Sequence, residues 1–378
     1  MYGQHTYIWY TLDMASQVSC GIVGLPNVGK STLFNALTDS SVLAANYPFA
    51  TIEPNTGVVP VPDERLQHLS ALYHNAPVKP ATVTFVDVAG LVEGASEGEG
   101  LGNQFLGHIR ATNALVQVVR AFDDPNVVTD DATGRHDPAH DIDIINTELV
   151  LADLQTVSRR LPRLEKETRA NPKLRTEYEA LQQVHEVLDS GKPLWDNLSI
   201  ASTGHVHDLA LLTTKPIIYV FNVDESDLSD ETAHERLRKL SGPAQSLFIC
   251  AKLEDELRSL DPGDRTELLR SYGQTESGLN QLIHAAYAAL GLQSYLTAGE
   301  KEVRAWTIAR GANAPQAAGV IHDDFERGFI AADVVDYDDL VGAGSLSAAR
   351  SAGKLRTEGK SYVMRPGDIV EFKFNVSK

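Results

Sequence analysis

The sequence is poor in cysteine and in basic residues, and each scarcity excludes a class of protein. Its 378 residues include two cysteines, Cys20 and Cys250, so no disulfide framework is expected and the reducing cytoplasm is the natural setting. No run approaches the roughly 18 apolar residues of a membrane-spanning helix, and residues 1–13 lack the regions of a secretory signal. Lys and Arg number 33 against 51 Asp and Glu, which argues against nonspecific duplex binding over the whole surface.

The acidic excess is confined to part of the chain. Residues 1–145 and 201–293 together hold 14 basic and 30 acidic residues, whereas residues 146–200 and 294–378 each carry a net charge of −1. Within the first of these near-neutral segments, residues 159–175 contain seven basic and two acidic residues. That stretch indicates either a solvated helix face or a contact for RNA or another acidic partner.

Five β-rich apolar segments predict an α/β fold with a doubly wound, mostly parallel sheet. They alternate with helical segments and are residues 19–24, 81–90, 114–122, 215–225 and 245–252. Such sheets bind ligands at the carboxyl ends of their strands, where the polar motifs of this sequence fall.

The middle of the chain predicts an inserted helical hairpin. Two apolar stripes, the first with spacings of 4 and 3, flank a turn at Asn171-Pro172. Pro162 falls inside the first helix and is expected to kink or break it. The predicted parts are an N-terminal extension (1–13), a sheet domain (14–140 and 206–293), the hairpin (141–205) and a β-rich C-terminal domain (294–378).

Residues 24–31, Gly-Leu-Pro-Asn-Val-Gly-Lys-Ser, match the phosphate-binding pattern GxxxxGK[ST] in full. The match follows a predicted strand and opens a predicted helix, which is the context that the motif requires. We expect backbone N–H groups to surround phosphate oxygens. Lys30 would reach the β- and γ-phosphates of a nucleotide, and the Ser31 hydroxyl would ligate Mg²⁺.

A second motif, Asp87-Val-Ala-Gly90, closes the next predicted strand of this sheet. Asp87 is suited to stand behind the metal, and the Gly90 N–H to donate to the γ-phosphate, so Lys30, Asp87 and Gly90 are the predicted catalytic residues. Thr51 could complete the metal shell. Leu91 replaces the water-orienting glutamine of many small GTPases, so activation of water must come from another side chain, a cation or a partner.

The predicted base-reading loop departs from the Asn-Lys-x-Asp of GTPases. It reads Asn222-Val223-Asp224-Glu225, and the longer Glu225 carboxylate is poorly placed for the paired donors of guanine. Guanine selectivity should therefore be lost, which makes ATP the plausible nucleotide. Ala251 and Lys252 follow the next strand, as a last base-contacting loop should.

Together these residues resemble the Obg-like ATPase, or YchF, family of translation-factor-related P-loop proteins. The resemblance runs from Cys20 to Val376 and rests on motifs such as GIVGLPNVGKSTLFNALT (21–38), DVAGLVEGASEGEGLGNQFL (87–106), NVDE (222–225) and GDIVEFKFNV (367–376). It implies a C-terminal TGS domain of β-grasp form, slow hydrolysis of ATP in preference to GTP, Mg²⁺, and a role with ribosomes in translation or stress.

The resemblance also implies residue roles. Asn27 matches an asparagine that helps to place K⁺ in related nucleotidases, and Asn222, Val223 and Phe122 would lie beside adenine. Taking the motifs and the resemblance together, the predicted metal ligands are Ser31, Thr51 and Asp87. The predicted nucleotide contacts are Asn27, Val28, Gly29, Lys30, Ser31, Thr32, Gly90, Phe122, Asn222, Val223, Glu225, Ala251 and Lys252.

Three departures from the family stand out. Thr129 occupies the position of a histidine proposed as catalytic in similar bacterial proteins, and His136 could substitute for it. Pro162 interrupts the first hairpin helix, and residues 1–13 have no family counterpart, since Met14 resembles the usual start.

The expected partners are ATP and the ribosome, as its large subunit or whole, with ribosomal RNA as a further candidate. We expect a monomer that binds no membrane. Two alternatives stay open: a GTP-hydrolysing translation factor, and a nucleotide-gated RNA- or ribosome-binding module whose hydrolysis is incidental.

Overall fold

The computed structural model describes residues 18–39, 55–88, 101–123, 137–196, 198–201, 206 and 208–375. These residues form two compact units. The first contains Val18–Gly57 and Thr84–Ala286, and the second contains Val58–Val83 and the chain from Tyr287 onward. None of the described helices is both long enough and apolar enough to cross a membrane.

Strands and helices alternate along much of the chain. The strands are β1 (Ser19–Val23), β2 (Thr56–Pro60), β3 (Val78–Lys79), β4 (Thr82–Asp87), β5 (Ala114–Ala121), β6 (Ile217–Val223), β7 (Gln245–Ile249), β8 (Leu292–Ala298), β9 (Val303–Ala309), β10 (Phe329–Asp336), β11 (Arg356–Glu358) and β12 (Asp368–Phe374). The helices are α1 (Lys30–Asp39), α2 (Glu64–Leu72), α3 (Leu101–Ala111), α4 (Pro138–Ala170), α5 (Arg175–Asp189), α6 (Leu198–Ala201), α7 (Glu231–Arg238), α8 (Ala251–Arg258), α9 (Pro262–Ser271), α10 (Gly278–Ala289), α11 (Ala314–Ile321), α12 (Asp323–Arg327), α13 (Tyr337–Ala343) and α14 (Leu346–Ser351).

The first sheet has the strand order β2-β4-β1-β5-β6-β7. Strands β4, β1, β5, β6 and β7 pair in parallel, which confirms the predicted doubly wound sheet. Every residue of β6 is buried, as its mostly apolar and β-branched sequence predicts for a central parallel strand. The parallel pairing brings the carboxyl ends of β1, β4, β5, β6 and β7 to one edge of the sheet.

Helices α4 and α5 form a hairpin whose turn lies at Asn171 and Pro172, as the sequence predicts. The helix does not break at Pro162, because α4 runs through this residue as one helix of 33 residues, Pro138–Ala170. Pro162 removes one backbone donor, but it lies on an exposed face where water can reach the carbonyl four residues earlier. The buried seam of Val157 and Leu164 against α5 keeps the helix intact.

A buried carboxylate fixes the hairpin to the loop that leads into β6. The side chain of Asp153 on α4 is fully buried and accepts hydrogen bonds from the backbone N–H groups of Leu212 and Thr213, each at 2.8 Å, and from the Thr213 hydroxyl at 2.7 Å. A few residues on, Lys215 donates to the carbonyl oxygens of Arg110 and Thr112, at the end of α3. The same loop therefore contacts α4 and α3.

The second sheet has the strand order β11-β10-β12-β8-β9-β3. In chain order, β8 is the first long strand of this sheet and β12 is the last, and the two pair in parallel. Each also has an antiparallel neighbour, β9 beside β8 and β10 beside β12, which is the arrangement of a β-grasp domain. This unit contains residues 58–83 and the chain from Tyr287 onward, whereas the predicted bounds began the C-terminal domain at residue 294 and placed residues 58–83 in the sheet domain. The reason is that β3 pairs with β9 through Val78 and Lys79.

Candidate functional site

The phosphate-binding sequence forms a tight loop between β1 and α1. Asn27 and Gly29 adopt left-handed backbone conformations, with φ of 64° and 91°, and α1 begins directly afterwards at Lys30. A Cβ atom at Gly24 would lie 2.9 Å from the Val118 carbonyl oxygen. The glycines are therefore required by the close approach of the backbone, and the loop leads into the N-terminus of a helix, where unpaired N–H groups favour anions.

Lys30 and Asp87 meet at the edge of the sheet. The Lys30 ammonium donates a hydrogen bond to the Asp87 carboxylate, and their side chains are 10% and 17% exposed. The pairing of β1 with β4 sets Asp87 opposite Ile22, close to the phosphate loop. Ser31 and Thr32 lie exposed in the first turn of α1. The carboxylate of the second motif therefore lies beside the lysine of the phosphate loop.

Asn222 joins the phosphate loop to the loop after β7. Its amide nitrogen donates to the Val28 carbonyl at 3.0 Å, and its amide oxygen accepts from the Ala251 N–H at 3.0 Å. A Cβ atom at Gly29 would collide with this amide. The Val223 side chain is buried in the core, so only the backbone of Val223 can face a base.

Glu225 is held by two donors from separate elements. Lys252 donates to one carboxylate oxygen at 3.1 Å, and the Tyr272 hydroxyl donates to the other at 2.9 Å. These hydrogen bonds, first that from Lys252 and then that from Tyr272, hold the pKa of the Glu225 carboxyl below its ordinary value. Sequence reasoning missed Tyr272, because no local motif links the end of α9 to the end of β6. We call these three residues the Glu225 cluster.

Phe122 lies at the end of β5, beside the end of β6. The guanidinium of Arg120 stacks 4.7 Å from the centroid of the Phe122 ring and donates to the Phe122 carbonyl. One residue further, the backbone N–H of Asp123 donates to the Asp224 carboxylate at 3.0 Å. The last of these contacts joins the ends of β5 and β6, and Asp224 is a second contributor that the sequence did not reveal.

Several predicted residues lie outside the described part of the chain: Thr51, Gly90, Leu91, Thr129 and His136. Within the described part, His, Cys, Asp and Glu side chains do not gather in groups of three or more that could hold a metal ion. A hydroxyl and a carboxylate at a phosphate loop still suit Mg²⁺, because this ion usually takes its remaining ligands from water and nucleotide phosphates.

The basic stretch 159–175 forms the tip of the hairpin. Three of its basic residues are ion-paired, Arg160 with Glu167 among them. Arg159, Arg163, Lys166 and Lys173 are exposed and form no ion pair with any described acidic residue. A band of positive charge is therefore left available at the tip.

Comparisons with known proteins match this chain over nearly its whole length. A family model described as "50S ribosome-binding GTPase" matches residues 19–150, and the model YchF-GTPase_C, described as a protein of unknown function, matches residues 292–375. A protein named "Ribosome-binding ATPase YchF" from Bacillus subtilis is 47% identical over 95% of this chain and 100% of its own length. One of the same name from Escherichia coli O157:H7 is 46% identical over 94% and 99%.

A solved structure also resembles this chain along its length. The YchF GTPase of Schizosaccharomyces pombe superposes with a TM-score of 0.82 at 39% identity, over 94% of this chain and 98% of that one. A GTP-binding protein from Pyrococcus horikoshii, at 20% identity and a TM-score of 0.58, shares the fold.

Proposed function

The chain belongs to the YchF family of P-loop proteins, and from this premise we propose that it is a ribosome-associated ATPase, hydrolysing ATP to ADP and phosphate as a nucleotide switch in translation or stress regulation. The observation that carries the proposal is the phosphate loop with Lys30 and Asp87 paired at its edge. The names of the relatives support the ribosome and ATP. The two cysteines are both buried and form no disulfide, which is consistent with the cytoplasmic location that we propose. We expect the protein to be a monomer there.

Binding of the nucleotide would place its phosphates against the loop at residues 24–31. Lys30 would then exchange the Asp87 carboxylate for β- and γ-phosphate oxygens, and the N–H groups of the first turn of α1 would donate to the phosphates. Ser31, Asp87 and Thr51 would hold Mg²⁺, which neutralises phosphate charge when it is bound. Asp87, released from Lys30, would be free for that role.

Activation of the attacking water needs a group other than a glutamine, because Leu91 stands at the usual position. Asn27 is exposed at the rim of the phosphate loop and is the residue we propose for placing K⁺ beside the phosphates. His136 is a further candidate for the water. Replacing Na⁺ with K⁺ should raise the rate of hydrolysis in the parent and should do so less in Asn27→Ala.

The preference for ATP is supported by the Glu225 cluster. The Glu225 carboxylate already accepts hydrogen bonds from Lys252 and Tyr272. A loop that recognises guanine must instead present a carboxylate to two N–H donors of the base. Adenine makes no such demand. GTP remains the second candidate, because the solved relative is described as a GTPase.

The hairpin tip would bind the ribosome, and the phosphates of ribosomal RNA would provide the acidic surface that it contacts. Exposed Arg159 and Arg163 lie on this tip, and phosphate contacts of this kind weaken as salt rises. The double variant Arg159→Glu/Arg163→Glu should therefore lose cosedimentation with ribosomes at low salt. Reversal of two exposed basic residues elsewhere, Arg236→Glu/Lys239→Glu, matches the charge change and should retain it.

The experiment that tests the whole proposal measures phosphate release with and without ribosomes, in K⁺ and in Na⁺. We expect ribosomes and K⁺ each to raise the ATP rate. Equal cosedimentation of the two charge-reversal variants would remove the hairpin tip as the contact. A Lys30→Ala variant that still binds ribosomes and still supports cell growth would favour a binding module with incidental hydrolysis.

A further inference from the structure

We infer that Tyr272 is a positioning residue that sets the base preference of this chain, because it fixes the Glu225 carboxylate and thereby denies it to guanine. This inference rests on the proposed function, since it concerns the choice between ATP and GTP. It adds a residue to the site that lies far from any nucleotide motif in the sequence, at the C-terminal end of α9.

The Glu225 cluster lies at the ligand edge of the sheet. Strands β6 and β7 pair in parallel with Asn222 opposite Ile249, so the residues that follow each strand leave the same edge. Glu225 follows β6, and Lys252 stands second in α8 after β7. Tyr272 reaches this edge from α9, and its hydroxyl completes the pair of donors.

A second contact ties the same two segments together. The Gln274 amide donates to the Leu228 carbonyl at 2.8 Å, and between the two contact residues Gly273 turns the chain in a left-handed conformation, with φ of 70°. The turn after α9 is therefore fastened to the turn after β6 at two points. Only one of them, Tyr272, touches the Glu225 carboxylate.

Of the two donors, Tyr272 is the one that can fix an orientation. The Lys252 side chain is 76% exposed, and an exposed ion pair of a long flexible side chain is weak and screened by salt. The Tyr272 ring is partly buried against the core of the unit, and a tyrosine has few torsions to restrain. The phenol thus determines where the second carboxylate oxygen points.

The chemistry separates the two bases. Guanine offers two neighbouring N–H donors, which are bound best by a carboxylate that turns both oxygens towards the base. In the Glu225 cluster each oxygen already accepts from the protein and is turned towards that donor, so the donors of guanine would have to compete with these charge-assisted hydrogen bonds. Adenine lacks this donor pair and meets no such competition. The cluster therefore disfavours guanine and leaves adenine binding unaffected.

The test is calorimetric titration of ADP and GDP, with Mg²⁺, into the full chain and three variants. Tyr272→Phe removes the hydroxyl and keeps the ring; we expect GDP to bind roughly three- to tenfold more tightly, the equivalent of one modest hydrogen bond, while ADP changes less than about twofold. Gln274→Ala breaks the neighbouring contact without touching Glu225 and should leave both affinities as in the parent. Glu225→Asp, too short to reach Tyr272, should also tighten GDP.

Each outcome decides the matter. An unchanged ratio of GDP to ADP affinity in Tyr272→Phe, or equal weakening of both nucleotides, would overturn the inference. Tightening of GDP in Glu225→Asp alone would show that side-chain length, not Tyr272, sets the preference. If the parent binds GDP as tightly as ADP, the proposed preference for ATP is refuted as well. If the parent prefers ADP but Tyr272→Phe leaves that preference unchanged, only the positioning role of Tyr272 is refuted.

Discussion

Replacing Asn222 with alanine would separate the two loops that its amide joins. The change leaves the Val28 carbonyl and the Ala251 N–H without their partner, and both residues are buried. A buried backbone group that loses its hydrogen bond costs roughly 1–3 kcal/mol, so for the two groups together we expect the free energy of unfolding to fall by about 2–6 kcal/mol. Nucleotide affinity should fall with it, because Val28 lies within the phosphate loop.

The measurement is urea unfolding of the parent and the variant at one pH, with ADP affinity determined on the same preparations. Asn146→Ala is the matched control, since its amide is partly buried but meets Tyr219 only at 3.5 Å; its loss should stay within about 1 kcal/mol. A similarly small loss in Asn222→Ala would show that the amide does not hold the two loops together.

Three further predictions concern buried ionisable groups. Burial raises the pKa of Glu254 to about 7, so the stability that its protonated form contributes is complete below about pH 4.5 and is lost as pH rises to 7. Glu254→Gln should therefore remove up to about 3 kcal/mol of the pH dependence of the free energy of unfolding. Unfolding titrations at several pH values measure this, and an unchanged pH profile in the variant would contradict it. Asp153→Ala should destabilise the chain by roughly 3 kcal/mol in urea, because three donors lose their buried acceptor; retained stability would refute this. Burial lowers the pKa of Lys215 to about 8, so folding favours its neutral form and the parent gains stability as pH rises from about 8 to 10.5. Lys215→Met lacks this gain and should therefore lose more stability relative to the parent at pH 10 than at pH 6, as thermal unfolding at the two pH values would show; an equal loss at both would contradict the shift.

The local motifs predicted the fold well for a physical reason, and the same reason explains why the sequence of a phosphate loop can be recognised. A phosphate loop is specified by neighbouring residues: Gly24 and Gly29 permit the close turns, and Lys30 opens the helix. The central strands could be predicted for a similar reason, because strands buried on both faces are mostly apolar and β-branched along their length.

The remaining features depend on packing between distant parts of the chain. The hydrogen bond of Tyr272 with Glu225 joins residues 47 positions apart, and no periodicity encodes it. The two-residue strand β3 is defined only by its pairing with β9, so the sequence could not assign it to the second sheet. At Pro162 a sound local rule was overridden, since the buried seam of α4 outweighs one missing hydrogen bond.

The most direct test of the proposed activity is the rate of phosphate release from ATP and from GTP, measured side by side on the parent and on Lys30→Ala. We predict that the parent hydrolyses ATP with a kcat/KM at least about tenfold above that for GTP, a difference of roughly 1.4 kcal/mol, and that Lys30→Ala abolishes the ATP rate. Preference for GTP, or an ATP rate that survives the loss of Lys30, would contradict the assignment of this site.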